Sequence, residues 1–302
     1  MKKLLALILC FAFVFGVGFV GQVSAEEDVL AEIDTVLTTY FGRVQDNLLV
    51  QVGNMAHIWY GENELTPGTE YEDLPVISTN FVNHGGRDGP EDFSYIEDQI
   101  TAKEDLYQYT DNLVTALKLD GSQIIEALEY FSESYNTIDP EDDSDQFLVD
   151  LEEVPDYDHH HMEGIEYQYD VTQPAGERVV YAEYEGEQLT EDMEFIVVTN
   201  SYRADSDTPN FEEDNIVIET EVPNVDVMLD YINNEIEGEI PELTHNWGFA
   251  PVETEGQVLF ETSPKAVEYM EYAPEPVDHI SQVGEYGGWA IMEFDLSADL
   301  LD

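Results

Sequence analysis

The sequence predicts an α+β fold. Helical and strand-like apolar patterns are mixed along the chain, and they do not alternate as regular βαβ units. Hydrophobic residues make up 43% of the 302 residues, and aromatic residues occur throughout, which is typical of a folded core rather than of a disordered chain. No internal repeat and no Pro/Gly/Ser-rich linker divides the chain after its N-terminal segment. We therefore expect one large domain.

The first 25 residues, MKKLLALILCFAFVFGVGFVGQVSA, place two lysines before an apolar run that ends in small residues. This order is typical of a secretory signal peptide, and the change to acidic residues directly after it favours cleavage over a retained membrane anchor. The single cysteine, Cys10, lies inside this segment, so the mature chain would have no disulfide, thiol nucleophile or cysteine metal ligand. We predict an exported protein, extracellular or periplasmic, without a membrane partner after cleavage.

The chain is strongly acidic, with 68 Asp and Glu residues against 9 Lys and Arg and a formal net charge of −59. Such a chain repels nucleic acid polymers and anionic membranes, so neither is expected as a partner. Two interpretations remain. One is a surface adapted to concentrated salt, which screens charge repulsion over about 3 Å at 1 M, and the other is a dedicated cation binder. The acids are spread along the sequence, which favours salt adaptation.

In the N-terminal half, residues 27 to about 62 are predicted to be helical, because Leu48, Val52, Met55 and Trp59 form one apolar stripe. After a turn-rich loop, VISTNF and NLVTALKL are predicted strands, and the first ends at a glycine pair in VNHGGRDG. DGSQIIEALEYFSES is a predicted helix with acids on its outer face. The residues on its inner face are Ile124, Ile125, Leu128 and Phe131.

In the C-terminal half, IEYQYDVT, RVVYAEYEG, EQL and EFIVVTN are β-rich, and their Glu-Gly pair predicts a tight turn between two strands. VDVMLDYINNE is a predicted helix, and GQVLFET and GGWAIMEFDL are strand-like. The two halves are joined by IDPEDDSDQFLVDLEEVPDYDHHHMEG, which we interpret as a polar connection.

Two parts of this connection have the composition of metal sites. His159, His160 and His161 are consecutive, and neighbouring side chains of an extended segment point in opposite directions, so three in a row rarely converge on one ion. We interpret them as surface histidines. The acidic segment DPEDDSDQFLVDLEE lacks the glycine of an EF-hand turn, so we interpret it as a solvated loop. No metal ligand is predicted, and the sequence has neither a serine-nucleophile motif nor a phosphate-binding loop motif.

The few basic residues are more informative than the many acids. Arg87 in NHGGRDG and Arg203 in NSYRADSD stand beside turn glycines or an aromatic residue. A guanidinium group is a planar donor that suits phosphate or carboxylate. Each is a candidate for an anionic ligand, and the alternative is an ion pair with a neighbouring acid. The basic residues after the N-terminal segment are Arg43, Arg87, Lys103, Lys118, Arg178, Arg203 and Lys265.

Four segments follow one another in a recognisable order: GNMAHIWYGENELTPGTEYEDLPVIS, GGRDGPEDFSYIEDQITAKEDLYQYTDNLVTALKL, EGIEYQYDVTQPAGERVVYAEYEGEQLTEDMEFIVVTNSYRA and NWGFAPVETEGQVLFETSP. Together they resemble the C-terminal domain of the 5'-nucleotidase family. The forms YQYDVTQP and NSYRA resemble the branch of 2',3'-cyclic-nucleotide 2'-phosphodiesterase/3'-nucleotidases. The resemblance implies a layered α-β-β-α domain over residues 47–302, preceded by the signal peptide at 1–25 and a helical lead-in at 26–46.

The resemblance also implies a ligand site. Members of this family bind the nucleobase between two aromatic rings, which match Tyr109 in LYQYTDN and Tyr202 in TNSYRA. A base stacked on an aromatic side chain is stabilised by about 1–3 kcal/mol. The glycine-arginine turn of the family matches Gly85, Gly86 and Arg87, which implies that Arg87 contacts an anionic or polar group of the nucleotide. The implied substrate-binding residues are Tyr109, Tyr202, Arg87, Gly85, Gly86 and Asn83.

The sequence departs from the family pattern in two ways. The glycine pair that usually follows the second aromatic residue is replaced by Asp205, Ser206 and Asp207, which adds negative charge beside the predicted base site. The N-terminal calcineurin-like metallophosphoesterase domain, with its D-x-H and G-N-H-[DE] motifs for two divalent metals, has no counterpart in this sequence. Because those metals activate water and stabilise the leaving oxygen, we expect neither a cofactor nor hydrolysis from this chain alone.

The implied function is therefore nucleotide recognition for a 5'-nucleotidase or cyclic-nucleotide phosphodiesterase type of hydrolase. Its ligand would be a nucleotide or nucleoside, and its partner a separately encoded metallophosphoesterase chain. Two alternatives stay open. The chain could be a stand-alone exported nucleoside- or nucleotide-binding protein without catalysis, or a remnant without a ligand.

Overall fold

The structure is a computed structural model that describes residues 29–151 and 153–301. The predicted signal peptide lies outside these residues. Within the described ranges, no helix is long and apolar enough to cross a bilayer. The α-helices are α1 (Leu48–Tyr60), α2 (Lys103–Leu106), α3 (Gly121–Ser132), α4 (Ser201–Ala204), α5 (Asn224–Asp230) and α6 (Lys265–Tyr269). Turns of π-helix at Gly61–Leu65 and Tyr231–Glu235 extend α1 and α5.

The strands form mixed and antiparallel sheets. They are β1 (Ala31–Glu32), β2 (Leu37–Thr38), β3 (Val76–Phe81), β4 (Tyr95–Ile96), β5 (Gln99–Ile100), β6 (Leu113–Asp120), β7 (Gln146–Phe147), β8 (His160–Glu163), β9 (Glu166–Tyr169), β10 (Val179–Tyr184), β11 (Glu187–Gln188), β12 (Glu194–Asn200), β13 (Ile216–Pro223), β14 (Trp247–Phe249), β15 (Val258–Thr262), β16 (Ile280–Tyr286) and β17 (Trp289–Phe294).

The central sheet has five strands in the order β13-β6-β12-β3-β8, with β12 and β3 parallel and the other neighbours antiparallel. Two four-stranded sheets, β11-β10-β9-β14 and β16-β17-β15-β7, accompany it, and β1-β5 and β2-β4 form short pairs. Helices and strands are thus mixed without regular βαβ units, which confirms the predicted α+β class.

Strand β12 shows how the central sheet separates two apolar cores. Phe195 and Val197 belong to a core shared with α3. Ile196 and Val198 belong to the other core, shared with α1 and α5. Successive residues of a strand face opposite sides of a sheet, so this strand is apolar at every position from Phe195 to Val198. Strand β12 ends at Asn200, and helix α4 follows at the carboxyl end of this strand.

Helix α1 begins where the sequence supplies a cap. The side chain of Asn47 accepts hydrogen bonds from the backbone amides of Leu49 and Val50, which satisfies donors that the first turn leaves free. The predicted apolar stripe is partly confirmed, since Leu48 and Val52 are buried and Met55 and Trp59 are half-buried. Helix α3 likewise has a capping box between Asp120 and Gln123.

The predicted helical lead-in at 26–46 is wrong for the residues that the structure describes. Residues 29–46 form β1, β2 and turns, and they belong to the same cores as the rest of the domain. The reason is long-range pairing: the amides of Leu30, Ile33 and Thr39 donate to carbonyls of Ile100, Asp98 and Ser94 instead of to the preceding helical turn. The predicted helix from residue 27 therefore starts only at Leu48.

Most of the other predicted elements are found. The tight turn in EYEG connects β10 and β11, with positive φ at Glu185 and Gly186. Strands β13 and β16 were not predicted. Their sequences, IVIETEVP and ISQVGEY, are half-exposed edge strands with many polar residues, so their apolar alternation is weak.

The interpretation of His159, His160 and His161 as surface residues is wrong, because all three are buried. His160 and His161 belong to β8, which pairs with β3. The ring of His160 stacks on Phe131 at a centroid distance of 4.5 Å, and Nε2 of His161 donates to the carbonyl of Gly42 at 2.7 Å. Burial lowers the pKa of His161 to about 4, so its ring is neutral at pH 7 and packs as a flat, weakly polar group.

Candidate functional site

A cavity of about 270 Å³ opens at one end of the central sheet, beside the carboxyl ends of the parallel strands β3 and β12. Aromatic and cationic groups dominate its wall, and no acidic residue is among its lining residues. The residues that line it are Phe81, Arg87, Tyr109, Asn112, Tyr157, Asn200, Tyr202 and Arg203. The lining of three tyrosines, a phenylalanine and two arginines suits a flat ligand that carries a polar or anionic group.

Tyr109 is held by the segment that follows α2. The side chain of Asn83 accepts from the backbone amide of Gln108 at 3.2 Å and donates to the carbonyl of Leu106 at 3.3 Å. Asn83 is buried, so these bonds fix the backbone just before the tyrosine. The Tyr109 ring packs against Phe81 at a centroid distance of 5.9 Å. Asn83 thus positions Tyr109 and is not itself part of the cavity wall.

Tyr202 stands on the first turn of α4, directly after β12. The side chain of Asn200 accepts from the amide of Arg203 at 2.8 Å and caps this short helix. The hydroxyl of Ser201 accepts from the amide of Leu113 at 3.1 Å and ties the turn to β6. The side chain of Tyr202 lines the cavity and is 62% exposed. The sheet end therefore presents an aromatic face to solvent.

The glycine pair shapes the turn that presents Arg87. The amide of Gly85 donates to the Asp156 carboxylate at 2.9 Å. Gly86 has a φ of 95°, and a Cβ atom there would lie 2.9 Å from side-chain atoms of Phe93 and Trp289. Only glycine fits both the conformation and the space. Neither glycine lines the cavity; together they direct Arg87 toward it.

Arg87 is exposed and reaches two tyrosines. Its Nη1 donates to the hydroxyl of Tyr109 at 3.1 Å, and its Cζ lies 5.0 Å from the ring centroid of Tyr157. Both interactions leave most of the guanidinium donors facing solvent. A second, wider cleft of about 720 Å³ lies beside the first, and Arg87 and Tyr157 line both.

Tyr157 is a site residue that sequence reasoning missed. It lies in the turn of 3₁₀ helix at Asp156–Asp158, inside the stretch interpreted as a polar connection. The carbonyl of Tyr157 accepts from Nη2 of Arg203 at 2.8 Å, and its ring packs edge-on against Tyr109 at 6.4 Å. Nothing in the surrounding acidic sequence distinguishes this tyrosine from a surface residue. Phe81, Asn112 and Asn200 were also missed, although the end of a predicted strand is a reasonable place to look for them.

Arg203 does not pair with Asp205 or Asp207, although their closeness in sequence suggested it. Its side chain is buried and lies 3.4 Å from the Asp158 carboxylate, while Nη1 donates to the hydroxyl of Thr208 at 3.1 Å. The turn after α4 is closed instead by Ser206, whose hydroxyl donates to the Arg203 carbonyl at 2.7 Å. Asp205 and Asp207 are exposed at the protein surface.

The described residues contain no group of three or more His, Cys, Asp or Glu side chains arranged to hold a metal ion. Burial near the cavity favours the neutral form of an ionisable side chain. Burial raises the pKa of Asp156, and hydrogen bonding from Gly85 and the charge of Arg43 oppose that shift. The tyrosines, asparagines and arginines that line the cavity are suited to stacking and hydrogen bonding.

The α+β domain carries an aromatic, arginine-lined cavity at one end of its central sheet. Residues 77–212 match the family described as 5'-nucleotidase, C-terminal domain, and this part of the chain belongs to that family. This segment includes β3, the glycine-arginine turn, Tyr109 and Tyr202.

The chain is similar to longer curated proteins. It is 34% identical over 269 residues to the trifunctional nucleotide phosphoesterase protein YfkN of Bacillus subtilis, an alignment that covers 82% of this chain and 18% of YfkN. It is 30% identical over 283 residues to a 2',3'-cyclic-nucleotide 2'-phosphodiesterase/3'-nucleotidase of Haemophilus influenzae, covering 86% of this chain and 43% of that protein. The chain thus spans less than half the length of either relative.

Solved structures share the fold. A 5'-nucleotidase precursor from Thermus thermophilus superposes with a TM-score of 0.51 at 19% identity, over 77% of this chain and 39% of that one. A 5'-nucleotidase-type protein from Staphylococcus aureus, solved with alpha-ketoglutarate, superposes with a TM-score of 0.58 at 15% identity, over 74% of this chain and 41% of that one. The α+β domain is therefore a known arrangement.

Proposed function

We propose that the cavity binds the base of a nucleoside or nucleotide, with Tyr109 and Tyr202 stacking on its two faces and Arg87 contacting an anionic or polar group of the same ligand. The proposed role of the chain is nucleotide recognition in a phosphoesterase of the nucleotidase type. The observation that carries it is the convergence of these three side chains, from three separate segments, on one cavity of about 270 Å³. The family and the relatives named as nucleotide phosphoesterases support the ligand class.

The two tyrosines are suited to different parts of this role. Tyr109 is backed by Phe81 and Tyr157, so its ring has a fixed orientation before a ligand arrives. Tyr202 is 62% exposed and packs little of its ring, so it can adjust to the free face of a base. Stacking is tolerant of base identity, because every base has a π-face.

Arg87 supplies the charge that the rings lack. The guanidinium is exposed, and its cation-π contact with Tyr157 holds it beside the cavity at no cost in buried charge. With a net charge of −59, the protein repels anions at low salt. Recognition of a phosphate by Arg87 is therefore proposed to operate in concentrated salt, which screens the surrounding acids.

Hydrolysis is assigned to a metallophosphoesterase partner outside residues 29–301. Residues 29–301 are proposed to supply neither metal ligands nor a reacting group, and the signal-like N-terminus favours a site of action outside the cytoplasm. The domain proposed to carry recognition includes residues 29–46 as well as those from 47 onward, since most of the former, including residues 37–46, are buried.

Calorimetric titration with adenosine and AMP at high NaCl concentration tests the proposal. Wild-type protein should bind adenosine, and Tyr202→Ala should lower the affinity about tenfold or more, because one stacked face is lost. Tyr109→Ala should have at least as large an effect. Tyr202→Phe keeps the ring and serves as the matched control, with affinity within about threefold of wild type.

Stability distinguishes a ligand role from a structural one. Tyr202 is largely exposed, so Tyr202→Ala should leave the thermal unfolding midpoint nearly unchanged while affinity falls. Absence of measurable heat with millimolar adenosine, at any salt concentration tried, would contradict the proposal that this cavity binds a nucleoside or nucleotide.

A further inference from the structure

A second aromatic cavity, of about 420 Å³, lies apart from the candidate nucleotide site, between the segment around β4 and helix α6. Its volume falls in the range of about 300–1,000 Å³ that is usual for small-molecule sites. It has no part in the function proposed above. Its lining residues are Tyr40, Glu91, Phe93, Tyr95, Ser263, Lys265, Glu268 and Tyr272.

The aromatic rings form three sides of this cavity. Tyr40 is the buried floor, with ring centroids 5.8 Å from Phe93 and 6.3 Å from Tyr95. The hydroxyls of Tyr95 and Tyr272 lie 3.2 Å apart and close one side. Both of these tyrosines are largely open to solvent, at 40% and 51% exposure. Two large rings left exposed beside a concave, ring-lined space point to a ligand that contacts their faces.

The charges around the rings favour a positive ligand. Glu91 and Glu268 line the cavity, and the ammonium of Lys265 is 2.6 Å from the Glu91 carboxylate. Lys265 therefore offsets Glu91, and the Glu268 carboxylate remains as the second acid of the wall. Burial raises the pKa of Tyr40 to about 12, and the neighbouring Tyr272 and Glu91 add to the shift.

We propose that the cavity formed by Tyr40, Phe93, Tyr95 and Tyr272 binds a small organic ammonium cation, of the class of choline. The negative faces of aromatic rings attract a cation placed within about 6 Å, and a quaternary ammonium suits them because it is large and weakly hydrated. The carboxylate of Glu268 supplies the counter-charge. The strongly acidic chain as a whole raises the local concentration of any cation.

Phe93 connects this cavity with the turn that carries Arg87. One side of its ring lines the ammonium cavity, and the ring also contacts Trp289 at a centroid distance of 6.2 Å and limits the space above Gly86. The ammonium cavity is nevertheless lined by none of the residues that line the nucleotide cavity. The two ligands are thus expected to bind without competing.

Calorimetry with choline chloride at constant, high ionic strength tests the proposal. The comparison ligand is 3,3-dimethyl-1-butanol, which has the shape of choline without the charge. Choline should bind at least tenfold more tightly than the neutral alcohol. Tyr272→Ala should weaken choline binding about five- to tenfold, because one ring face is lost. Tyr286→Ala removes a tyrosine that is 78% exposed outside this cavity, and it should leave choline affinity unchanged.

Glu268→Gln separates charge from shape. It should weaken choline binding several-fold and leave binding of the neutral alcohol unchanged. The proposal is overturned if choline gives no heat, if the two ligands bind equally, or if Tyr272→Ala and Glu268→Gln, each shown by circular dichroism to be folded, both bind choline like wild type. None of these results depends on adenosine binding.

Discussion

Arg87 and Arg203 line the same cavity, but the protein surrounds them in opposite ways. Arg203 is 4% exposed, and its donors are used by the Tyr157 carbonyl, the Thr208 hydroxyl and the Asp158 carboxylate. Arg87 is exposed, and its contacts are with the hydroxyl of one tyrosine and the ring face of another. One guanidinium is thus part of the scaffold, and the other is available to a ligand.

Burial, and not position in the cavity wall, therefore separates structural arginines from ligand-facing arginines in this acidic protein. Two further arginines follow the pattern of Arg203. Arg43 is buried and donates to the Val154 carbonyl, and Arg178 is buried and donates to the carbonyls of Ser132 and Tyr135. An arginine that bonds to carbonyls inside a fold cannot leave them for a ligand without exposing those carbonyls unsatisfied.

The largest expected effect is the loss of Arg203. Arg203→Met removes the bonds to Tyr157 and Thr208 and leaves the Asp158 carboxylate without its cation. The free energy of unfolding should fall by about 2–3 kcal/mol, as is usual when a buried hydrogen-bonding charge is removed. Urea denaturation of both proteins in the same salt measures this change. An unfolding free energy within about 0.5 kcal/mol of wild type would show that Arg203 is not structural.

The fold was predictable where apolar periodicity is strong, and the failures have a common cause. Strand β6 alternates, β12 is a short continuous apolar run and helix α3 repeats its apolar residues at helical spacing, so the sequence reveals them. Residues 29–46 and His159 to His161 were misread because their structure depends on partners distant in sequence, such as Ile100 and β3. A neutral, buried imidazole is indistinguishable in sequence from an exposed one.

The second-largest expected effect is on the pH dependence of stability, through Glu163, a buried acid of β8. Glu163 is 8% exposed, and burial, helped by the nearby Asp46, raises the pKa of its carboxyl to about 8. In the unfolded chain the pKa is near 4.5, so the folded state holds the proton more tightly. Its contribution to stability is therefore complete below about pH 4.5 and is lost as pH rises toward 8.

We expect stability to fall between pH 6 and pH 8 by about 1 kcal/mol per pH unit, the order set by one proton. Glu163→Gln keeps the size and the hydrogen bond with Thr244 but cannot ionise, so its unfolding midpoint should depend less on pH than that of wild type over the same range. Thermal unfolding at fixed salt measures both slopes. Parallel curves would contradict the assignment. Glu166→Gln, an exposed acid three residues along the chain, is the control and should follow wild type.

For the candidate site, the sequence led to three of the eight lining residues by family resemblance, and to none by periodicity. Tyr109, Tyr202 and Arg87 stand in motifs with glycine, asparagine, aspartate or serine neighbours that mark turns. Tyr157 stands among acids in a stretch without such marks, and only the contacts with Arg203 and Arg87 reveal its place. Asn83, Gly85 and Gly86 were correctly associated with the turn, but their contacts are with the backbone and core beneath the cavity.

The smallest expected effect on the free energy of unfolding comes from the loss of Arg87. Arg87→Met should leave the free energy of unfolding within about 0.5 kcal/mol of wild type, because the side chain is exposed. If Arg87 contacts the phosphate, AMP affinity should fall about tenfold, which corresponds to about 1.4 kcal/mol, while adenosine affinity changes little. Calorimetric titration of both ligands at high salt measures the two changes.

The matched control is Lys118→Met, which removes a cation paired with Glu194 at 2.7 Å and away from the cavity wall. If AMP and adenosine weaken equally in Arg87→Met, the arginine only orients Tyr109 through their 3.1 Å hydrogen bond and belongs with Arg203 as a scaffold residue.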